Sequence, residues 1–240
     1  MLDKQSAIPI YVQIEDYLKQ QIAQDVYPVK SIIPSERELS ELFGVSRMTV
    51  RQSLTNLVKE GLLYREKGRG TFVAEEKMEQ PLNGLTSFTE DMKARGLSPG
   101  TKLIGFSQVR PDPQIRARLG LSSEALVHKV VRIRYADNTP MAIERSYLPV
   151  DLLPTLSEEA LQGSLYAFIE QQEKLVIGQA TQRMEAALAK KEDAEYLQIA
   201  IPAAVVQIER VSTLEDGRTF EVVRSTYRSD RYKFISEIGR

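Results

Sequence analysis

Residues 34–61, PSERELSELFGVSRMTVRQSLTNLVKEG, constrain the fold more than any other stretch of the chain. Ser35 and Glu38 have the spacing of a capping box, in which a hydroxyl and a carboxylate bond the free amides at a helix start. This pattern predicts a helix that runs to about Phe43. Gly44 then allows a tight turn, after which Ser46 is placed to cap another helix.

The helix after Ser46 ends at Gly61, in the position past a helix C-terminus where glycine is favoured. Its apolar side chains recur at helical spacing and predict a buried stripe of Val50, Leu54, Leu57 and Val58. Residues near 10–24 are amphipathic and predict a further helix before it. The segment LLYREKGRGTFVA is typical of two short strands around a glycine turn. Together these elements predict a winged helix-turn-helix.

Composition changes after this hairpin. EEKMEQPLNG is polar and without periodicity, which predicts a linker over residues 75–84 between a domain of residues 1–74 and a domain of residues 85–240. In the second domain, alternating β-branched segments predict six strands, KLIGFSQVR, ALVHKVVRIRY, PMAIERSYLP, QATQRMEAALA, AAVVQIERVSTL and FEVVRSTYR. LYAFIEQQ and KKEDAEYLQ are typical of helices. We therefore predict an α+β domain built on an antiparallel sheet.

Composition narrows the possible chemistry. The 240 residues contain no Cys and one His, which excludes disulfides and makes a multi-histidine metal site difficult. We expect no metal and no cofactor. No apolar run approaches the ~20 residues that span a bilayer, and the first residues are not signal-like. These features predict a cytoplasmic protein with no membrane partner.

Positive charge is concentrated in one part of the chain. The net charge is −1, but residues 46–74 contain six cations and two acids. Arg47, Arg51 and Thr55 are spaced by four, so they share one helix face, roughly opposite the apolar stripe. A helix fits the major groove of DNA, where Arg can bridge O6 and N7 of guanine. We predict that Arg47 and Arg51 contact bases.

Other polar residues near these helix starts are placed to hold phosphates. The amides at Ser46 and Thr49 lie at a helix N-terminus, which favours anions. Ser35 and Arg37 begin the preceding helix and are placed to clamp a neighbouring phosphate; an N-cap that only stabilises the helix is the alternative.

The predicted wing carries Lys67, Gly68, Arg69 and Gly70. Its glycines let the backbone approach a ligand closely, and Arg69 suits a narrow minor groove. A solvated turn that keeps a strand edge soluble is the alternative. The basic helix-turn-helix directly before it favours DNA binding.

Two features of the second domain are suited to an anion. Arg132 and Arg134 are two apart on a predicted strand, so both guanidiniums project from one face and can form two forks for a phosphate. Ser164 is placed at a helix start, where free amides attract anions. Surface salt bridges and simple capping are the respective alternatives.

The first seventy residues, with PSERELSELFGVSRMTVRQSLTNLVKEGLLYREKGRGTFV, resemble the DNA-binding domain of GntR-family bacterial transcription regulators. The second half, with LTSFTEDMKARGLSPGTKL, VVRIRY, MAIERSYLP and YRSDRYKF, resembles the HutC branch, whose effector (UTRA) domain has a chorismate-lyase-like fold. Within that branch the likeness is to repressors of N-acetylglucosamine utilisation, which respond to amino-sugar phosphates.

This resemblance implies roles for eight residues. Arg132, Arg134, Ser164 and Tyr166 correspond to residues that hold the effector's phosphate. Phe88 and Thr89 resemble a loop that closes on the ligand. Glu144 and Tyr227 resemble partners for sugar hydroxyls or an amide. The alternative for these two is that they are residues on the surface of the sheet. Gln179 and Thr181 stand where relatives that respond to amino sugars are expected to be more basic, which puts the sugar's identity in question.

Three functions remain open from the sequence. The first is a homodimeric regulator of a palindromic double-stranded DNA operator, with a phosphorylated sugar such as glucosamine 6-phosphate or N-acetylglucosamine 6-phosphate, or another small molecule, as effector. The second is an enzyme of lyase-like fold that uses acids such as Glu144 and Glu185. Fold similarity does not transfer activity, so an enzyme is not expected. The third is an architectural DNA-binding protein without a ligand.

Overall fold

The computed structural model describes residues 2–3, 6–66, 68–75 and 77–239. The chain divides into two compact units, residues 1–77 and residues 78–240. Within the described ranges, no helix combines the length and hydropathy needed to cross a membrane.

The first unit has the predicted winged helix-turn-helix. Its elements are α1 (Ile10–Ala23), α2 (Glu36–Phe43), α3 (Arg47–Lys59), β1 (Leu63–Glu66) and β2 (Gly70–Val73). The two strands pair antiparallel, with Leu63 opposite Val73. Val50, Leu54 and Leu57 of α3 are buried, as the apolar stripe predicts, and Val58 is half-buried. They pack against α1, α2 and both strands in one core.

Local sequence signals explain where these helices begin and end. Ser35 Oγ accepts a hydrogen bond from the Glu38 amide at 3.3 Å, and Glu38 Oε2 accepts one from the Ser35 amide at 2.8 Å, which confirms the capping box. Gly44 ends α2 in the left-handed region, with φ of 61°. Ser46 caps α3 by accepting from the Thr49 amide at 3.2 Å. These contacts fix the short turn between α2 and α3.

The second unit is α+β. Its elements are β3 (Met78–Pro81), α4 (Phe88–Ala94), β4 (Pro99–Val109), α5 (Pro113–Leu119), β5 (Val127–Ala136), β6 (Thr139–Pro149), a 3₁₀ turn (Ala160–Gln162), α6 (Leu165–Gln171), β7 (Ile177–Leu188), α7 (Lys191–Leu197), β8 (Ala204–Leu214), β9 (Thr219–Arg228) and β10 (Tyr232–Ile235). Six strands form an antiparallel sheet in the order β4-β5-β6-β9-β8-β7. All six predicted strands and both predicted helices are present.

Besides the 3₁₀ turn, four elements of the second unit have no counterpart in the sequence prediction. They are the helices α4 and α5 and the short strands β3 and β10. β3 lies inside the segment 75–84 that composition predicts as a linker. It pairs in parallel with β10 near the end of the chain, with Met78 opposite Tyr232. A four-residue strand with a distant partner leaves little trace in local composition.

Helix α6 packs on the central sheet, and its first residues lie against the sheet. Leu165, Tyr166 and Ile169 of α6 are buried in one cluster with Val130 of β5 and Phe220 of β9. The Tyr166 ring meets the Phe220 ring edge to face, with centroids 5.9 Å apart. This packing fixes the position of Ser164, which caps α6.

Candidate DNA-binding surface and effector pocket

Helix α3 presents polar side chains to solvent on the face opposite its core. Arg47 and Arg51 are exposed, and Thr55 is half-buried. The hydroxyls of Ser46 and Thr49 form a hydrogen bond of 2.9 Å at the first turn of α3. Arg47 therefore reaches solvent from the N-terminus of α3, the end of a helix that favours an anion.

Arg51 is held by a carboxylate of the neighbouring helix. Its Nε and Nη2 donate to Glu36 Oε2 at 2.9 Å and 2.8 Å, and Nε also lies 3.1 Å from Oε1. Arg65 Nη2 lies 3.8 Å from the same carboxylate and donates to Thr55 Oγ1 at 3.1 Å. Hydrogen bonds from Arg51 hold the pKa of Glu36 below its usual range. Helices α2 and α3 and strand β1 are thus connected on one polar surface.

The hairpin between β1 and β2 has the conformation that its glycines permit. Gly68 and Gly70 have φ of 77° and 136°, where other residues are strained, and both are exposed. Arg69 pairs with Glu66, and its guanidinium carbon lies 5.7 Å from the centre of the Phe72 ring. Lys67, also predicted to contact DNA, lies outside the described residues.

A wide groove runs between this hairpin and helices α2 and α3, with a volume of about 990 Å³. Five of the predicted DNA-binding residues line it, namely Ser35, Arg51, Gly68, Arg69 and Gly70. Arg37, Ser46, Arg47 and Thr49 lie outside its lining, and Arg37 pairs with Glu41 one turn along α2. Arg65 lines the groove but is absent from the predicted set, although it is a cation within the predicted wing segment YREKGRG.

A polar pocket lies in the second unit, under the segment that leads into α4. It is lined by Thr86, Ser87, Phe88, Thr89, Arg132, Arg134, Glu144, Ser164, Leu165, Tyr166, Arg210, Glu221 and Val223. Seven of the eight predicted effector residues are among them. Tyr227 is not. It is buried against Tyr232 and Phe234 instead, and burial raises its pKa to about 12.

Glu144 joins the two arginines of β5. Arg132 Nη2 donates to Glu144 Oε2 at 2.8 Å, and Arg134 Nη1 lies 3.4 Å from the same oxygen. Burial disfavours the charge of Glu144, but the guanidiniums of Arg134 and Arg132 outweigh it and hold the pKa of this carboxyl below its usual range. Glu144 is therefore an ionised partner of both arginines.

Phe88 and Thr89 close over Arg134. Arg134 Nη2 donates to Thr89 Oγ1 at 2.9 Å, and the guanidinium carbon lies 4.8 Å from the centre of the Phe88 ring. Burial lowers the pKa of Arg134. The start of α4 thus packs directly on the charged floor of the pocket.

The starts of α4 and α6 meet at the pocket. Ser87 caps α4 by accepting from the Glu90 amide at 3.2 Å, and Ser164 caps α6 by accepting from the Ala167 amide at 3.3 Å. The Ser164 hydroxyl donates to Ser87 Oγ at 3.4 Å. The two capping hydroxyls therefore lie side by side in the pocket wall.

Arg210 of β8 and Glu221 of β9 complete the lining and are absent from the predicted set. Burial raises the pKa of Glu221, although Arg210 acts against this effect. The Tyr166 hydroxyl reaches both strands from α6 and lies 3.3 Å from Ser212 Oγ and 3.5 Å from Glu221 Oε2. A signal for Arg210 does exist in the sequence, because it shares a face with the apolar Ile208 two residues earlier.

Gln179 and Thr181 lie on the exposed edge strand β7, and neither lines the pocket. Their departure from the basic character expected at these positions therefore does not alter the pocket wall.

Both halves of the chain match known families. Residues 10–73 match the bacterial regulatory proteins of the gntR family, and residues 94–233 match the UTRA domain. The chain is 48% identical to the HTH-type transcriptional repressor NagR of Bacillus subtilis over 239 residues, which cover 100% of this chain and 98% of that protein. It is 33% identical to the mannosyl-D-glycerate transport/metabolism system repressor MngR of Escherichia coli, over 94% of each chain.

Solved structures agree with these matches. The crystal structure of PhnF from Mycobacterium smegmatis superposes with a TM-score of 0.66 at 31% identity, over 94% of this chain and 99% of that one. These relatives are transcription regulators, not enzymes. The chain therefore belongs to the GntR family of bacterial transcription regulators and carries a UTRA effector domain.

Proposed function

We propose that this chain is a repressor that binds a palindromic operator as a homodimer and changes its DNA affinity when a phosphorylated sugar binds its pocket. Glucosamine 6-phosphate and N-acetylglucosamine 6-phosphate are the proposed effectors. One observation carries the phosphate assignment. Four buried guanidinium nitrogens of residues that line the pocket have no hydrogen-bond partner within the described chain, namely Arg132 Nε, Arg132 Nη1, Arg134 Nε and Arg210 Nε.

Such nitrogens are costly to leave without partners. A buried donor without an acceptor costs about 1–3 kcal/mol, and charged groups cost more. Phosphate offers three acceptor oxygens and close to two negative charges at neutral pH, and arginine binds it through two parallel hydrogen bonds. A phosphate in this pocket would therefore satisfy several of these donors together.

The charge balance of the pocket favours the same ligand. Arg132, Arg134 and Arg210 contribute three positive charges, whereas Glu144 contributes one ionised carboxylate. Burial raises the pKa of Glu221, so this carboxyl group carries less negative charge than an exposed one and offsets less of the positive charge. The pocket therefore has excess positive charge, which a phosphate group neutralises.

The remaining lining supports a sugar. Thr86, Ser87, Ser164 and Tyr166 offer hydroxyls, and Glu221 offers a carboxyl group to a hydroxyl or amine. The name of the relative MngR refers to a mannosyl-D-glycerate system. The likeness to NagR supports an amino sugar in particular.

The pocket as it stands is too small for such a ligand. Its cavity is about 30 Å³, whereas sites for small ligands are roughly 300 Å³ or larger. Binding therefore requires the segment 86–89 and the start of α4 to move away from Arg134. Because this segment lies in the chain just after β3, its movement is the proposed means of changing DNA affinity.

Strand β7 supports the homodimer. It is an edge strand of twelve residues, nine of them exposed, and long exposed edges pair readily with a second chain. In an antiparallel pair centred on Met184, Arg183 would face Glu185 of the partner subunit, and the same contact would repeat by symmetry. Two winged helices related by that symmetry suit a palindromic operator.

In this function, residues 1–74 bind DNA, residues 75–84 connect the two domains, and residues 85–240 bind the effector and form the dimer. The regulator would act in the cytoplasm, where bacterial operator DNA lies. Arg47, Arg51 and the hairpin 67–70 are the proposed operator contacts, together with Ser35, Arg37, Ser46 and Thr49.

Thermal unfolding of the full chain tests the effector. We expect stabilisation by glucosamine 6-phosphate or N-acetylglucosamine 6-phosphate, and none by unphosphorylated glucosamine at the same concentration. A ligand at 100 times its Kd stabilises the folded state by about 2.7 kcal/mol. If no sugar phosphate stabilises the chain while salt-dependent binding to selected DNA persists in a mobility shift, the chain is a DNA-binding protein without this effector.

A further inference from the structure

Glu36 occupies a position on the DNA-binding unit that the proposed function leaves unexplained. Glu36 is the first residue of α2. Its carboxylate accepts hydrogen bonds from two nitrogens of Arg51, which lies fifteen residues later on α3. The Glu36 side chain is 27% exposed, whereas that of Arg51 is 56% exposed. The carboxylate therefore lies behind the guanidinium, and Arg51 extends further into solvent.

The bonds use one edge of the guanidinium only. Nε and Nη2 form the side edge, and both face Glu36. The end edge, formed by Nη1 and the second N–H of Nη2, is not engaged by Glu36. Guanine presents two acceptors, O6 and N7, in the major groove, and an arginine end edge matches them with two parallel bonds.

We propose that Glu36 is a positioning residue for base reading, which fixes Arg51 so that its end edge contacts a guanine in each operator half-site. This inference rests on the proposed function, because it requires Arg51 to reach bases. An arginine side chain has several rotatable bonds, and a bidentate contact behind it removes much of that freedom before DNA binds. The expected consequence is sequence discrimination, with a smaller effect on general affinity.

A purely stabilising role explains the pair less well. Exposed ion pairs contribute about 0–1 kcal/mol to stability, and α2 and α3 already share the buried Leu39, Val50 and Leu54. Arg65 also approaches the carboxylate, at 3.8 Å, from the strand that leads into the wing. Glu36 thus contacts or approaches cations from two elements that line the groove.

Selection of bound duplexes from a randomised DNA library tests the inference with the full chain. We expect the wild type to enrich a palindromic site that contains guanine at one position of each half. Arg51→Ala should remove that preference, by about 5- to 150-fold, and leave the other positions of the site unchanged. Glu36→Gln should remove most of the same preference, and Glu36→Asp should fall between Gln and wild type.

Glu60→Gln is the matched control, because Glu60 pairs with Lys19 at 2.8 Å on the same unit and lies outside the groove. It should leave the enriched site unchanged. The double variant Glu36→Gln/Arg51→Ala should lose no more discrimination than Arg51→Ala alone. Thermal unfolding of each variant shows whether a loss of sequence discrimination arises from unfolding of the protein.

Two results would overturn the role of Glu36. One is a Glu36→Gln variant that keeps the full guanine preference while Arg51→Ala loses it. The other is an Arg51→Ala variant that weakens all sequences equally, which would make Arg51 a phosphate contact. If the wild type itself enriches no sequence, the proposed operator binding fails, and that result is distinct from both.

Discussion

Arg132 and Glu144 face each other across strands β5 and β6, with Arg132 Nη2 donating to Glu144 Oε2 at 2.8 Å. The side chains are 4% and 12% exposed, and the same oxygen lies 3.4 Å from Arg134 Nη1. One carboxylate therefore serves two buried guanidiniums. The positive charge that remains is available to a ligand.

Glu144→Gln should destabilise the free protein strongly. Removing one partner of a buried ion pair costs about 3–5 kcal/mol, because the other charge stays buried without compensation. We expect a lower midpoint of urea unfolding, and we expect inorganic phosphate at high concentration to restore more stability to this variant than to wild type. Glu124→Gln, which removes the partner of Arg110 at an exposed site, is the control and should change little. An unchanged midpoint in Glu144→Gln would contradict the prediction.

Arg132→Ala should weaken the effector response and leave operator binding largely intact. The variant loses charged hydrogen bonds worth about 1.5–3 kcal/mol, which corresponds to roughly 10- to 150-fold in effector affinity. Titration calorimetry with glucosamine 6-phosphate measures the first effect, and a mobility shift without effector measures the second. Arg110→Ala removes an exposed arginine of the same unit and should alter neither. Loss of DNA binding in Arg132→Ala would argue against the assignment.

Arg183→Glu should weaken the dimer. In the register centred on Met184, the variant places like charges opposite each other at two symmetry-related positions. Sedimentation at micromolar concentration should show more monomer, and the double variant Arg183→Glu/Glu185→Arg should recover the dimer because the opposite charges are exchanged. A double variant that stays monomeric would exclude this register. Dimers in all three proteins would place the interface elsewhere.

Glu221→Gln should change how stability depends on pH. Burial raises the pKa of Glu221, so the folded state holds the proton more tightly than the unfolded state. Its contribution is therefore fully present below the pKa of the unfolded chain, and it is lost as pH rises through the higher folded-state pKa. We expect the melting temperature of wild type to fall more than that of Glu221→Gln as pH is raised above the usual range of a carboxyl pKa. Parallel curves for the two proteins would show that Glu221 does not titrate above that range.

The first unit is well predicted from sequence because its signals are local. Ser35, Glu38 and Ser46 act on amides three residues away, and Gly44 and Gly61 mark helix ends by backbone conformation alone. The six strands of the central sheet are predictable for a related reason, since alternation of β-branched residues is visible within each strand. Short elements such as β3 and α4 depend on distant partners and are missed.

The pocket shows the same limit. Arg132, Arg134 and Ser164 are recognisable from spacing and from their place at a helix start. Arg210 and Glu221 lie on strands that are far from these residues in sequence, and only the order β5-β6-β9-β8 brings them to one pocket. Sequence spacing within a strand gives the face of a side chain but not the neighbours across the sheet.

The parallel pair of β3 and β10 has a consequence for how the chain matures on the ribosome. Domains fold as units during synthesis, N-terminal ones first, so the winged helix can form early. β3 follows it directly in the chain, but its partner strand, Tyr232–Ile235, is made only after the whole central sheet. A nascent regulator can thus possess its DNA-binding unit before β3 gains its partner, and all six strands of the central sheet must be synthesised before the two-stranded sheet can close.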